Sequence, residues 1–337
     1  MASFFQKRNI SFSPKVYFVD AFGAMAMGLF ASLLIATIFG TIYDYTKIEF
    51  FLKMKEFGYG AQGCAMAVAI GAALKAPSLV LLSLCAVGYG ATTVGAAGPF
   101  LTYVASLIAC EAGKLVSKTT KLDIIITPTV TIAVGTAIIL WLGMPLSTVI
   151  TAFGNFVMEC THYHPFVMGI LVSVLIGIAL TLPISSAAIC ASIGLVGLAG
   201  GAATAGCCAQ MIGFAVMSYR ENGVGGLIAQ GLGTSMLQMG NITKKPIVWL
   251  PPTIAAAITG PIATCIFKMT NSVAVASGMG TCGLVGPIGV MSSGLDNFGW
   301  LGLVLVCFIL PAVITLAISE CFRKLGWIKL GDLKLDL

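Results

Sequence analysis

What this sequence has least of is charge: 18 Lys and Arg and 12 Asp and Glu in 337 residues, 9% charged against 58% hydrophobic. A soluble globular chain carries about a quarter charged residues, so the deficit excludes an ordinary soluble domain. The few charges are also bunched. They leave uncharged stretches at 21–43, 57–74, 76–110, 124–158, 160–219, 246–267, 269–295 and 297–319. Each can hold at least one crossing helix, which takes about 20 apolar residues at about 1.5 Å each. A CxxC pair is also missing among the 11 cysteines, which removes a zinc ribbon or a redox dithiol. Most of them (Cys64, Cys85, Cys110, Cys190, Cys207, Cys208, Cys265, Cys282, Cys307) lie inside apolar runs, where Cys acts as a small hydrophobe. The net charge of +6 gathers in short loops and at the two ends. It therefore reports topology, and no nucleic-acid partner is expected.

What is present predicts an all-α integral membrane protein whose solvent is the lipid bilayer. Apolar runs near 17–43, 60–75, 78–97, 99–116, 123–143, 165–183, 186–218, 246–268 and 299–320, with the longest open to a split, predict about ten transmembrane helices. The head MASFFQKRNISFSPK carries Lys7, Arg8 and Lys15, and Arg323, Lys324, Lys329 and Lys334 follow Glu320. The positive-inside bias places both ends in the cytoplasm and makes the span count even. The first apolar run has no cleavage-type ending and reads as a retained span. The expected partition is a cytoplasmic segment 1–16, one transmembrane domain 17–320 and a cytoplasmic tail 321–337.

The 40 Gly and 13 Pro predict interrupted helices, which survive in a bilayer only where protein or a water-lined cavity re-satisfies the freed backbone. That favours a transporter or channel over an anchor. Three pieces fit a full span poorly: PLSTVITAFGNFVM (145–158), GVGGLIAQGLGTSMLQM (223–239) and AVASGMGTCGLVGPIGVM (274–291). They read either as re-entrant or discontinuous helices or as ordinary spans with small residues for close packing. The run GLAGGAATAGCC (197–208) is a packing seam. Gly98-Pro99, Gly260-Pro261 and Gly286-Pro287 hint at an internal duplication.

Three groups of residues could carry chemistry. GNFVMECTHYHP (154–165) puts Asn155, Glu159, His162 and His164 together, with both of the chain's histidines. A helix continuing to His162 would set Glu159 and His162 at i and i+3, so the carboxylate could fix the imidazole tautomer and the pair could bind hydroxyls or pass a proton. An ionisable group at membrane depth is a functional-site hypothesis by default; the alternative is a solvated loop before Pro165. In LPISSAAI (182–189), Pro183 ends one span, and Ser185 and Ser186 can cap the next helix and present its free N–H groups. Gln230, Thr234 and Gln238 recur every fourth residue, a polar stripe if that piece is helical. Gln210 and Asn271 are further amides inside apolar runs. Together these suggest a sugar-like polyhydroxy solute. A metal at Glu159, His162 and His164 is possible in ligand type only, and no metal, cofactor or catalytic residue is expected.

The segments DAFGAMAMGLFASLLIATIFGTI (20–42), LPISSAAICASIGLVGLAGGAATAGCCAQMIGFAVMSYRENGVGGLIAQGLGTSMLQMGNI (182–242) and LPPTIAAAITGPIATCIFKM (250–269) resemble the perfringolysin O regulator family. That family is grouped with the membrane subunit IIC of bacterial sugar phosphotransferase systems. The resemblance implies a dimeric inner-membrane protein of about ten spans with re-entrant hairpins, moving its substrate by an elevator-like motion. It also implies sugar binding by a Glu and a His near the hairpins, here Glu159 with His162 or His164, although the family's Gly-Ile-Thr-Glu signature is absent. Phosphoryl transfer would need a separate phosphorylated IIB-type partner. The readings carried forward are a sugar-permease-like transporter, a membrane sensor or regulator that kept the permease fold, and metal or proton transport at Glu159.

Overall fold

The computed structural model describes residue 10, residues 13–94 and residues 98–335, and every regular element among them is helical. Among the described residues, six helices are long and apolar enough to cross a membrane: Val16–Tyr43, Gly98–Val116, Asp123–Cys160, Gly197–Met217, Pro246–Ile266 and Asn297–Lys324. Shorter apolar helices lie at Ser78–Thr92, Pro165–Thr181 and Cys282–Met291. The chain divides into two units, Met1–Val149 and Ile150–Leu337.

The first unit holds α1 (Val16–Tyr43), α2 (Glu49–Ala73), α3 (Ser78–Thr92), α4 (Gly98–Val116) and the start of α5 (Asp123–Cys160). Hydrocarbon offers no hydrophobic drive between helices, so close backbone approach must supply the contact energy. Gly28 of α1 lies where a Cβ would come 2.6 Å from the Ala65 carbonyl oxygen, and Gly63 and Gly88 interlock α2 with α3 backbone to backbone. Phe22 stacks on Tyr103 at 4.1 Å, and the Tyr103 hydroxyl donates to the Tyr17 carbonyl at 2.8 Å. Lys114, 1% exposed, is paired with Glu111 at 3.0 Å, which is how a buried cation is tolerated.

Helix α5 takes in the 145–158 piece, so that piece is part of a continuous helix rather than a re-entrant one. Pro128 and Pro145 lie inside it, as membrane helices allow. Its 38 residues extend about 57 Å at 1.5 Å each, well beyond a hydrocarbon core of about 30 Å. Tilt, bending at its two prolines or an end outside the apolar layer takes up the surplus.

The second unit continues with α6 (Pro165–Thr181), α7 (Ser186–Ser192), α8 (Gly197–Met217), α9 (Tyr219–Ile228) and α10 (Met239–Lys244). Helix α11 (Pro246–Ile266), α12 (Ala274–Ser277), α13 (Val285–Met291) and α14 (Asn297–Lys324) follow. The apolar run 186–218 is split between α7 and α8. The piece 223–239 passes from α9 into a π turn (Ala229–Gly233) and a 3-10 turn (Ser235–Gln238), and 274–291 breaks between α12 and α13. Both are therefore discontinuous.

Helix α8 is the axis of this unit. Gly206 seats on the Ser173 backbone of α6, and a Cβ on Gly177 would come 2.8 Å from the Gly206 carbonyl oxygen. One on Gly213 would come 2.7 Å from Thr315 of α14. Gly169 and Gly260 bring α6 against α11, and Ser173 donates to the Ala256 carbonyl at 2.8 Å. Gly206→Val should cost about 1–3 kcal/mol, as overpacking against immovable backbone does. Gly225→Ala, with open space around it, should be neutral or gain about 0.4–1 kcal/mol. Melting temperatures of the detergent-solubilised variants check this ordering.

Candidate functional site

The second unit contains two interrupted helices that meet. In the first, α6 ends at the extended Leu182, Pro183 prevents its continuation, and the Ser185 hydroxyl caps α7 by accepting from Ala188 N–H at 3.2 Å. The chain then turns through Gly194 (φ +61°) and Gly197 (φ +66°) into α8. In the second, the π turn Ile262–Ile266 closes α11, and after α12 the chain passes Gly280 (φ +53°), Gly283 (φ +52°) and Leu284 (φ +61°) into α13. Both turns read Gly-Leu-Val-Gly-x-x-Gly, at 194–200 and 283–289. The match is legible in the sequence.

The two interruptions satisfy each other. Gly197 N–H donates to the Asn271 carbonyl at 2.8 Å and Asn271 N–H to the Gly197 carbonyl at 3.0 Å. Ser186, 4% exposed, donates to the Gly278 carbonyl at 2.7 Å. A Cβ on Gly278 would come 2.6 Å from the Ser186 carbonyl oxygen, so only glycine lets these backbones touch. The Asn271 side chain donates to Thr204 at 2.9 Å and accepts from Val273 N–H at 3.0 Å. Thr281 closes the group by donating to the Gly231 carbonyl at 2.5 Å, an acceptor freed by the π turn.

Gln210 is a second centre. Its carbonyl accepts from Trp249 Nε1 at 3.1 Å and from Thr181 at 3.4 Å, and its amide donates to Thr253 at 3.1 Å. Thr181 also pairs with Ser235 at 2.8 Å.

The 230–238 stripe is not helical. Thr234 is extended (φ −155°, ψ 139°) and caps the next turn by accepting from Met236 N–H at 3.2 Å. Gln230 and Gln238 nevertheless meet, the latter donating to the former at 2.9 Å. Gln230 donates onward to Ser218 at 2.8 Å, and Asn241 donates to Gln238 at 2.8 Å. This amide ladder is buried, with Gln230 and Gln238 both 0% exposed, and its far end grips residues 333–335. Gln238 donates to the Leu333 carbonyl at 3.0 Å and Asn241 to the Lys334 carbonyl at 2.9 Å. Asn222 donates to the Leu333 carbonyl at 2.8 Å and accepts from Leu335 N–H at 2.8 Å. Lys245 joins Asp332 at 2.6 Å.

Asn155, Glu159, His162 and His164 are all exposed in the described structure. Helix α5 ends at Cys160, so His162 falls in a turn, and Glu159 and His162 do not share a helix face. Pro165, which opens α6, disfavours helical backbone at His164 (φ −53°, ψ 142°), so the two helices do not run on as one. The His164 Nδ1 lies 3.5 Å from Phe166 N–H as the cap of α6. No hydrogen bond or ion pair among the described residues engages the Glu159 carboxylate or the His162 imidazole. Gly154, on the same helix, faces Ile193 and Ile189 at the end of α7, with a Cβ reaching them at 3.0 and 3.5 Å. Among the described residues no group of three or more His, Cys, Asp or Glu could hold a metal ion.

Paired helix interruptions, closed on each other by backbone hydrogen bonds inside a multi-pass apolar bundle, define the class of a broken-helix membrane transport protein. The profile of the family described as "Phosphotransferase system, EIIC" matches residues 19–335, and the chain belongs to that family. It is a multi-pass membrane component of a sugar phosphotransferase system. No curated protein and no solved structure matches it.

Two outcomes test this geometry. Asn271→Leu leaves the Val273 N–H without its acceptor, a loss of about 1–3 kcal/mol readable as a lower melting temperature. Burial would raise the Asp332 carboxyl, but hydrogen bonds from Lys245 and the Lys329 N–H, with both positive charges, hold it below the usual 3.8. A carboxyl depressed in the folded state contributes stability above its unfolded pKa and loses it as pH falls through the folded one. The melting-temperature gap between wild type and Asp332→Asn should therefore be full at about pH 5 and above, and should close only below 3.8.

Proposed function

We propose that this chain is the permease subunit that binds and translocates a sugar-like polar solute across the bacterial inner membrane, with a separate IIB-type protein supplying any phosphoryl group. The observation that carries the reading is the Gly197–Asn271 junction. Interrupted helices are costly in a bilayer, and transporters use them to bring backbone groups and helix ends to a solute near the midplane. The elevator-like motion, the count of about ten spans, cytoplasmic ends and a homodimer belong to the same proposal, as does the narrower kinship with perfringolysin O regulators.

Hydrogen-bond accounting divides the candidate residues. Gln210, Gln230, Gln238 and Asn271 use their capacity on protein partners, and so do Ser185, Ser186 and Thr234. Glu159, His162 and Asn155 do not, and the helix that carries Glu159 and Asn155 leans on α7 through Gly154. In this reading these groups and His164 meet the solute hydroxyls, while the buried amides set the shape of the hairpins.

A second reading, a sensor that retains the permease fold, is favoured by the ladder that closes on residues 333–335. Uptake of labelled sugars into proteoliposomes separates the two. Under the permease reading, uptake is saturable and Glu159→Gln lowers it about tenfold, the worth of one charged hydrogen bond. Absence of uptake and of any sugar-induced thermal shift in the wild type would rule out transport and leave the sensor.

A further inference from the structure

The uncharged stretches 160–219 and 297–319 each end on a charged residue, Arg220 and Glu320, and the fold brings these two together at 3.0 Å. They mark one level at which α8 and α14 leave the apolar layer. Beside them lies a cavity of about 260 Å³ whose wall includes Val216, Leu227 and Leu316 as well as the ion pair itself. Leu316 is 39% exposed, so the cavity opens on the surface. The pair is not what joins the helices. Arg323 does that from a buried position, bound to Glu221 at 2.8 Å and to the Met217 carbonyl at 3.0 Å. Arg220 and Glu320 keep 59% and 38% of their side-chain surface, and an exposed ion pair contributes little stability. Glu320 also engages only the Nη1 of Arg220. The other guanidinium N–H groups have no partner among the described residues and are available to a second anion. Lys324, exposed and one helical turn beyond Glu320, adds a further cation to that face of α14.

We propose that this cavity is a binding site for an anionic phospholipid, with the phosphate on Arg220, supported by Lys324, and the first part of one acyl chain against Val216, Leu227 and Leu316. The occupant follows from the chemistry of the wall. Unspent guanidinium donors beside apolar side chains match a molecule that is anionic at one end and apolar at the other, and a guanidinium fork suits phosphate oxygens. The ends of two membrane helices place the site at the level where lipid phosphates lie. The cavity is smaller than the roughly 300–1,000 Å³ of a drug-sized pocket, so it takes part of a lipid rather than a whole soluble ligand. Glu320 opposes a phosphate by its like charge and so limits the affinity. Val216, Leu227 and Leu316 come from α8, α9 and α14, so a lipid seated there stabilises the packing of all three by linkage. The proposal rests on the membrane setting and does not depend on solute transport.

The test uses the full chain in a neutral detergent with phosphatidylglycerol or phosphatidylcholine added, read by native mass spectrometry and by melting temperature. Phosphatidylglycerol should be retained saturably at this site and raise the melting temperature, and phosphatidylcholine should do neither. Arg220→Gln should weaken that retention about tenfold, the worth of a charge-assisted hydrogen bond. Leu227→Trp, which fills the cavity, should weaken it as well. Glu320→Gln breaks the same ion pair as Arg220→Gln but should tighten retention, because it removes the repelling carboxylate and releases Nη1. If the Arg220 and Glu320 variants shift retention in the same direction, the pair is structural and the proposal fails. Equal retention of the two lipids, the mark of annular contact only, would overturn it too. So would an equal melting shift from inorganic phosphate alone, which shows an anion site with no place for an acyl chain.

Discussion

The reciprocal pair of backbone hydrogen bonds between Gly197 and Asn271 is the constraint from which the second unit follows. Each lies at a break between helices, and in a bilayer the polar groups so released have no water to turn to. Meeting one another is the solution. It requires backbone at close range, which explains why Gly200, Gly201, Gly278 and Gly280 all sit where a Cβ would strike a neighbour. It also requires an amide that can hold several loose ends at once, and the Asn271 side chain does this with Thr204 and Val273.

The same logic governs Gln210 and the ladder from Ser218 to Asn241. Each interruption leaves carbonyls and N–H groups that a neutral side chain must reach. The Gly231 carbonyl in the π turn finds Thr281, and the irregular residues 333–335 find Asn222, Gln238 and Asn241. The polar residues of this membrane unit are thus mostly fittings for irregular backbone, and the solute-facing chemistry falls to the few that are not so engaged.

Much of this was legible in the residues. The charge gaps mark a multi-pass protein, Pro183 and Ser185 mark the first interruption, and the Gly-rich composition of 223–239 and 274–291 marks discontinuity. The piece 145–158 has the same small-residue character yet continues α5, because a proline in a membrane helix can be absorbed locally and leaves no sequence trace of whether it breaks the chain. The spacing of Gln230, Thr234 and Gln238 suggests a helical stripe. Gln230 and Gln238 do meet, but through a π turn and a 3-10 turn that no 3.6-residue period describes. Contact between Asn222 and residue 333 joins positions more than a hundred residues apart, and local pattern carries no information about it.

The side chains that hold the two hairpins and the ladder are amides, hydroxyls and glycines, none of which carries charge. The strongly buried ionic contact of Arg323 with Glu221 in the second unit sums to zero. A unit charge moved across a membrane exchanges about 2.3 kcal/mol per 100 mV with the field; a neutral interior exchanges nothing. Electrical work in a rearrangement of these hairpins therefore falls to the few charges at their ends, such as Lys268 in the second interruption, and to any charge that the solute carries with it.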